Sequence, residues 1–340
     1  MAILAQSKKP AEQDGENMAL ISVIIPAYRA ENYIQRCLQS VLDQTHRDLE
    51  VIVVINGEPD KSRDLIEAID DPRVRVIESR QGVGCARNTG INCSEGQYLM
   101  FLDADDWITR RDALEVLGEN VKGFDAIFAR YDDEKCRSSH GRVLSQEKSW
   151  EVCMTNPTKR ATVTAKLFNA CFIKVNKVRF EENLSLAEDS VYMVDFLLKE
   201  PKILDKEFAF YHTSYNPNSA TRGMSSDKID RYCMSIEAIY NRTEESSTYI
   251  KNLTKVFALN QLLIIFVHSH KKFSELPQYV RKVCANPVFS QTIHDAEIGQ
   301  ASFLRRFIFN LLKRKSYYIV SLFVKMRELR NKGFVQRESI

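Results

Sequence analysis

The chain has 340 residues, more than one compact domain usually holds, so one large domain with a substantial extension, or two domains, is expected. With 44% hydrophobic and 27% charged residues it is neither a disordered chain nor a membrane channel, and a net charge of +3 offers nucleic acid no whole-molecule attraction, so no nucleic-acid partner is expected. Eight cysteines scattered without a C-x-x-C pair argue against a zinc site or a disulfide framework and for reduced thiols in a cytoplasmic protein.

Residues 1–19 are read as a disordered tail: Lys8, Lys9, Glu12, Asp14 and Glu16 stand where a signal peptide would have its apolar centre. Met18 directly precedes the first strand and is a second candidate start. From Leu20, short apolar runs alternate with helical periodicity, which predicts repeated βα units around a mostly parallel sheet. The first strand is expected over residues 20–25, stopped at Pro26, and a helix follows with Ile34, Cys37, Leu38, Val41 and Leu42 on one face. Further strands are expected over residues 49–55, 74–77 and 97–102, the last almost wholly apolar and therefore central. A helix carrying Leu65, Ile66 and Ile69 and another opened by Gly82-Val83-Gly84 separate them.

Beyond this half, a strand is expected near 124–129, a polar loop over 132–149, helical segments near 163–175 and 188–199, and a strand over 203–212. From residue 225 the pattern is helical only, giving a division into residues 20–224 and a helical extension over 225–340. The run Leu262 to Val267 is far short of the ~20 apolar residues of a membrane span.

The strongest chemical signal is Asp103-Ala104-Asp105-Asp106 at the end of the fourth strand. Three carboxylates within four positions repel one another and gain from a divalent cation; oxygen ligands suit Mg²⁺ or Mn²⁺, which bind one or two carboxylates plus substrate phosphates. The plainer reading is a solvated acidic loop in which Asp105 or Asp106 caps a helix near Trp107. A Rossmann dinucleotide site would place its glycines after the first strand, whereas here they follow the third.

Four spaced motifs carry a resemblance: Ile21-Ser22-Val23-Ile24-Ile25-Pro26-Ala27-Tyr28, Ser40-Val41-Leu42-Asp43-Gln44-Thr45, Gly82 to Asn88 with Ala86-Arg87-Asn88, and Phe101 to Trp107. In this order they resemble family-2 glycosyltransferases of the GT-A fold, over about residues 20–220. The resemblance implies an α/β, Rossmann-like domain and inverting transfer of a sugar from a nucleotide diphosphate donor, a UDP-sugar first, to a glycan or lipid-linked hydroxyl in surface polysaccharide synthesis. It implies that Asp105 with Asp103 or Asp106 holds metal and donor, with Asp105 and Asp106 as the metal ligands, and that Pro26, Tyr28, Asn56 and Arg87 line the nucleotide-sugar site. Arg87 has the chemistry for phosphate, with a structural salt bridge as the alternative.

The segment Leu186-Ala187-Glu188-Asp189 is similar to the family's E-D pair, which implies Asp189 as catalytic base; as a plain helix-start acid it would only favour the helix dipole. Tyr211-His212 and Ser219 to Arg222 resemble the family's flexible segment, with His212 and Arg222 as donor-phosphate candidates. The chain departs from the family at Ile55-Asn56, where two aspartates are common, so Asn56 keeps an acceptor but loses a charge, and a base other than uracil stays open. That departure also motivates a rival, a non-catalytic scaffold that binds nucleotide sugar; a nucleotidyltransferase would need a Gly-, Arg- and Lys-bearing loop where Pro26-Ala27-Tyr28 stands. His268 and His270 lie on different faces of a helix and read as ordinary helix residues.

Residues 301–332 carry Arg305, Arg306, Lys313, Arg314, Lys315, Lys325, Arg327, Arg330 and Lys332 against one acid, Glu328, interleaved with aromatic and aliphatic residues. Such helices either lie on an anionic surface, here the inner face of the plasma membrane, or pack their apolar stripe on preceding helices or a second subunit.

Overall fold

The computed structural model describes residues 19–58, 60–136, 141–214, 224–299 and 301–335. Residues 1–18 of the tail expected over residues 1–19, and Arg222, lie outside the described residues.

The first half consists of β1 (Ile21–Ala27), α1 (Ile34–Leu42), β2 (Leu49–Asn56), α2 (Ser62–Glu67), β3 (Val74–Ser79), α3 (Val83–Cys93) and β4 (Tyr98–Phe101). Strands β1 to β4 are mutually parallel where they pair, in the order β3-β2-β1-β4. After them come β5 (Trp107–Ile108), α4 (Ala113–Gly118), β6 (Ala126–Tyr131), β7 (Gly141–Leu144), α5 (Gln146–Thr155), α6 (Pro157–Arg160), β8 (Lys166–Asn169), α7 (Ala170–Val175), α8 (Glu188–Leu197) and β9 (Ile203–His212). The sheet continues as β4-β8-β6-β9-β5, with β7 beside β9, and antiparallel pairs enter at β8, β5 and β7. This is the α/β GT-A architecture, a mostly parallel mixed sheet flanked by helices.

The near-continuous apolar strands follow from burial on both faces. Along β1, Ile21, Val23 and Ile25 enter one core layer while Ile24 enters the other; in β4, Tyr98 and Met100 share the first layer and Leu99 and Phe101 the second. The α1 stripe is buried as its spacing predicts. Pro26, expected to stop the first strand, lies within it: pairing to β4 ends at Ile24, so the strand has a free edge from Ile25 onward and a residue without N–H is tolerated there.

Other segments differ from the sequence reading. The expected helix over 163–175 is β8 followed by α7, the expected loop over 132–149 holds β7 and the start of α5, and the residue after the acidic cluster, Trp107, begins a strand rather than a helix. Long-range pairing decides each case: Trp107 pairs with His212 and Lys166 with Phe128, partners no local pattern reveals.

The C-terminal layer is helical: α9 (Ser226–Arg242), α10 (Thr248–Val267), α11 (Leu276–Cys284), α12 (Pro287–Asp295), α13 (Phe303–Lys313) and α14 (Tyr317–Val335). Among the described residues only α10 is long and apolar enough to cross a membrane, and 78% of that stretch is buried inside the protein, as in a core helix. Its Phe257, Leu262, Ile265 and Phe266 join a core that runs without interruption from Ile24 to Val324, each such side chain contributing about 1.5–3 kcal/mol. The helices beyond residue 225 therefore share one core with the sheet.

Candidate active site

The carboxyl ends of β1, β2 and β4 open into a cleft of about 660 Å³, where ligands of open α/β sheets bind. Pro26, Tyr28, Asn56, Arg87, Asp103, Asp105 and Asp189 all line it. Its far wall comes from α6, α9 and α10, through Thr158, Tyr232, Gln261, Ile264 and His268.

On the nucleotide side, Tyr28 is 45% exposed and lies over Gly57, whose φ is +135°. A Cβ there would stand 2.8 Å from the Tyr28 ring, so the glycine is needed for both conformation and contact. Asn56 is buried and its Nδ2 donates to the Gly82 carbonyl at 3.3 Å, which ties the end of β2 to the turn before α3. Arg29 borders the cleft with φ 49° and sits 5.2 Å from the Tyr28 ring centroid.

Three consecutive residues of α3 divide the work of joining the halves. Ala86 packs on Ile52 and Val54 of β2. Asn88 accepts from the Phe180 N–H and donates to the Phe180 carbonyl, both at 2.9 Å, pinning the chain that leads to α8. Between them, Arg87 is buried and meets three carboxylates: Nη2 donates to Asp103 Oδ1 at 2.9 Å, and Nη1 to Glu188 Oε1 at 3.1 Å and Asp189 Oδ1 at 2.5 Å. Arg87, expected at donor phosphates, borders the cleft, and its two terminal nitrogens are engaged by carboxylates, the contacts that its salt-bridge alternative calls for.

Glu188 and Asp189 open α8 directly after Ala187, a non-glycine residue in the left-handed region with φ 57°. Such backbone costs on the order of 1–3 kcal/mol and concentrates at functional sites. Burial pushes the Asp189 carboxyl above its usual range, opposed by Arg87, while burial and the neighbouring Asp189 push Glu188 to about 7. Asp189 Oδ2 also accepts from the Val163 N–H at 3.4 Å.

The acidic loop separates its carboxylates. Asp103 and Asp105 border the cleft, but Asp106 does not. Its buried carboxylate accepts from the Tyr211 hydroxyl and the Ser214 N–H, each at 2.8 Å, and burial followed by Asp103 and Asp105 raises it to about 8. Asp106, expected as a metal ligand, is thus held by Tyr211 of β9 and by Ser214, two residues beyond its end. Trp107 is fixed between Arg36, 3.7 Å from its ring centroid, and His212, stacked at 3.8 Å. His212, expected near donor phosphates, pairs through Nδ1 with Asp132 and lines a separate cavity of about 240 Å³ with Tyr131 and Lys159.

No group of three or more His, Cys, Asp or Glu side chains forms a metal cage among the described residues. Asp103 and Asp105, the two carboxylates of the acidic loop that border the cleft, nevertheless fit Mg²⁺ or Mn²⁺, whose remaining positions are commonly filled by water and substrate phosphates. The α10 wall escaped sequence reasoning: His268, read as an ordinary helix residue, caps that helix and borders the cleft, and only the fold brings it there.

Residues 22–182 match the family described as "Glycosyl transferase family 2". The chain is 24% identical over 339 residues to "Uncharacterized glycosyltransferase EpsJ" of Bacillus subtilis, covering 91% of this chain and 96% of that one. It is 30% identical over 208 residues to a poly(ribitol-phosphate) beta-glucosyltransferase of Bacillus spizizenii, covering 56% of this chain and 32% of that protein. The fold is similar to that of S. aureus TarS in complex with UDP-GlcNAc, with a TM-score of 0.62 and 17% identity over 91% of both chains.

Proposed function

Because residues 22–182 match glycosyl transferase family 2, we propose that the chain is a glycosyltransferase of polysaccharide synthesis that moves a sugar from a nucleoside diphosphate donor, UDP-linked in the first instance, to a hydroxyl of a growing glycan or lipid-linked acceptor, with inversion at the anomeric carbon. The observation that carries this reading is Asp189, a partly buried carboxylate at the cleft wall, joined through one guanidinium to Asp103 across from it.

A sugar hydroxyl is a weak nucleophile near neutral pH, and a base within hydrogen-bond reach must take its proton as the new bond forms. Asp189 supplies that base: burial raises its proton affinity, and Arg87 opposes that rise and holds the carboxylate at the cleft wall. Tyr28 offers an exposed ring for the nucleobase and Asn56 an amide beside it. Asp105 and Asp103 would hold a divalent cation, which when bound offsets the charge of the departing diphosphate. The α10 wall stands on the acceptor side.

Incubation with Mn²⁺ and a panel of nucleotide sugars, followed by assay of released nucleoside diphosphate, tests the reading. Release from one donor, stimulated by a glycan acceptor, supports it. Pyrophosphate release, or saturable donor binding with no turnover across a panel of glycan and lipid-linked acceptors, overturns it.

A further inference from the structure

The hairpin of α13 and α14 has two apolar faces where a packed helix needs one. Val320 and Val324 of α14 are buried in the common core, while Tyr318, Leu322, Met326 and Leu329, spaced three or four apart on another face, are between 42% and 63% exposed. On α13, Phe303 is 80% exposed and Phe307 44%. Phe307 meets Phe323 at 5.6 Å between centroids, so the exposed faces of the two helices adjoin, and Phe273 extends the patch by meeting Tyr318 at 5.4 Å. Contiguous exposed apolar surface of this kind marks an interaction site.

Charge identifies the occupant. Arg306, Lys313, Arg314, Lys315 and Arg327 are exposed along the hairpin, with Lys271 and Lys272 exposed near Phe273. The one acid within residues 301–329, Glu328, is buried and paired with Lys325. A second copy of this chain seated on the same face would bring cations against cations. An anionic lipid surface neutralises them and takes up the aromatic and aliphatic side chains at its headgroup boundary. We propose that the α13–α14 face docks the protein peripherally on a membrane rich in anionic phospholipid. The docked face is mechanically continuous with the cleft, because α14 packs on α10 and α10 forms the far wall of the cleft.

The full chain would be sedimented with vesicles of phosphatidylglycerol and phosphatidylcholine, and with vesicles of phosphatidylcholine alone. Binding is expected to the anionic vesicles, to weaken with salt, and to fall about a hundredfold in the triple variant R306Q/R314Q/K315Q, taking roughly fivefold for each neutralised cation. The double variant L322E/M326E should lose binding too, with an unchanged melting temperature because both side chains are exposed. Equal binding by wild type and both variants, or no binding at low salt, overturns the proposal. So does a wild-type dimer in analytical ultracentrifugation that L322E/M326E converts to monomer, since the patch would then be a subunit interface.

Discussion

Replacing Arg87 by Met removes the one cation shared by Asp103, Glu188 and Asp189 while keeping much of the side-chain volume. Deleting one partner of a buried ion pair costs about 3–5 kcal/mol, because the remaining charge is left in poor solvent. The carboxylates relieve that cost by holding protons. If about 3 kcal/mol is relieved at the Glu188–Asp189 pair, the pair becomes an acid weaker by about a hundredfold. Both groups are already raised by burial, so in the variant the base holds its proton to higher pH than in wild type. Sugar transfer by R87M should therefore drop about a hundredfold at pH 7 and recover toward alkaline pH, the acidic limb of the rate profile being displaced upward. Stability follows the same sign. A carboxylate raised by folding contributes stability that is complete below its unfolded value and lost as pH rises through the folded one; for wild-type Glu188 that window runs from 4.5 to about 7. The melting deficit of R87M relative to wild type should accordingly be greatest above pH 7 and narrow in acid. Rates measured from pH 6 to 9.5 alongside thermal melts decide the matter. A loss of transfer equal at every pH, with weaker donor binding, would refute the counter-ion role and return Arg87 to the phosphates.

Asp189→Asn keeps the size of the base and removes its function, so transfer should fall by about two to four orders of magnitude while donor affinity persists; Glu188→Gln with the larger loss would move the base to Glu188. Asp105→Ala should weaken Mn²⁺-dependent donor binding roughly tenfold or more, at about 1.5–3 kcal/mol for a charged contact, and unchanged calorimetric affinity with and without metal would remove Asp105 from the ion. Gly57→Ala forces a Cβ to 2.8 Å from the Tyr28 ring at a φ of +135°. It should cost about 1–3 kcal/mol of stability and reduce donor affinity; a melt and donor titration matching wild type would show that the Tyr28 ring moves freely.

Local pattern carried the parallel half of the fold well. The α1 stripe and the double-sided burial of β4 are direct images of apolar spacing, and the acidic cluster announced itself because like charges are seldom placed together without a reason. What spacing could not convey is direction. Asp103, Asp105 and Asp106 look equivalent in sequence, yet Tyr211, more than a hundred residues away, turns Asp106 out of the cleft. In the same way, nothing near Arg87 in sequence tells that α8 brings Glu188 and Asp189 against it. The His268 position depends on how α10 crosses the sheet, which no periodicity encodes.

The dual duty of α10 has a practical corollary for anyone redesigning this enzyme. Its Phe257 and Phe266 anchor the common core, while Gln261, Ile264 and His268 on the same rod face the cleft. A chimera that exchanged acceptor preference by grafting this helix alone would import mismatched anchors with the new contacts. Transplants should carry α9 to α14 together with the facing α5 and α6, leaving β1 to β4 as a reusable donor cassette. Point changes confined to Gln261, Ile264 and His268 are the smaller library to screen first.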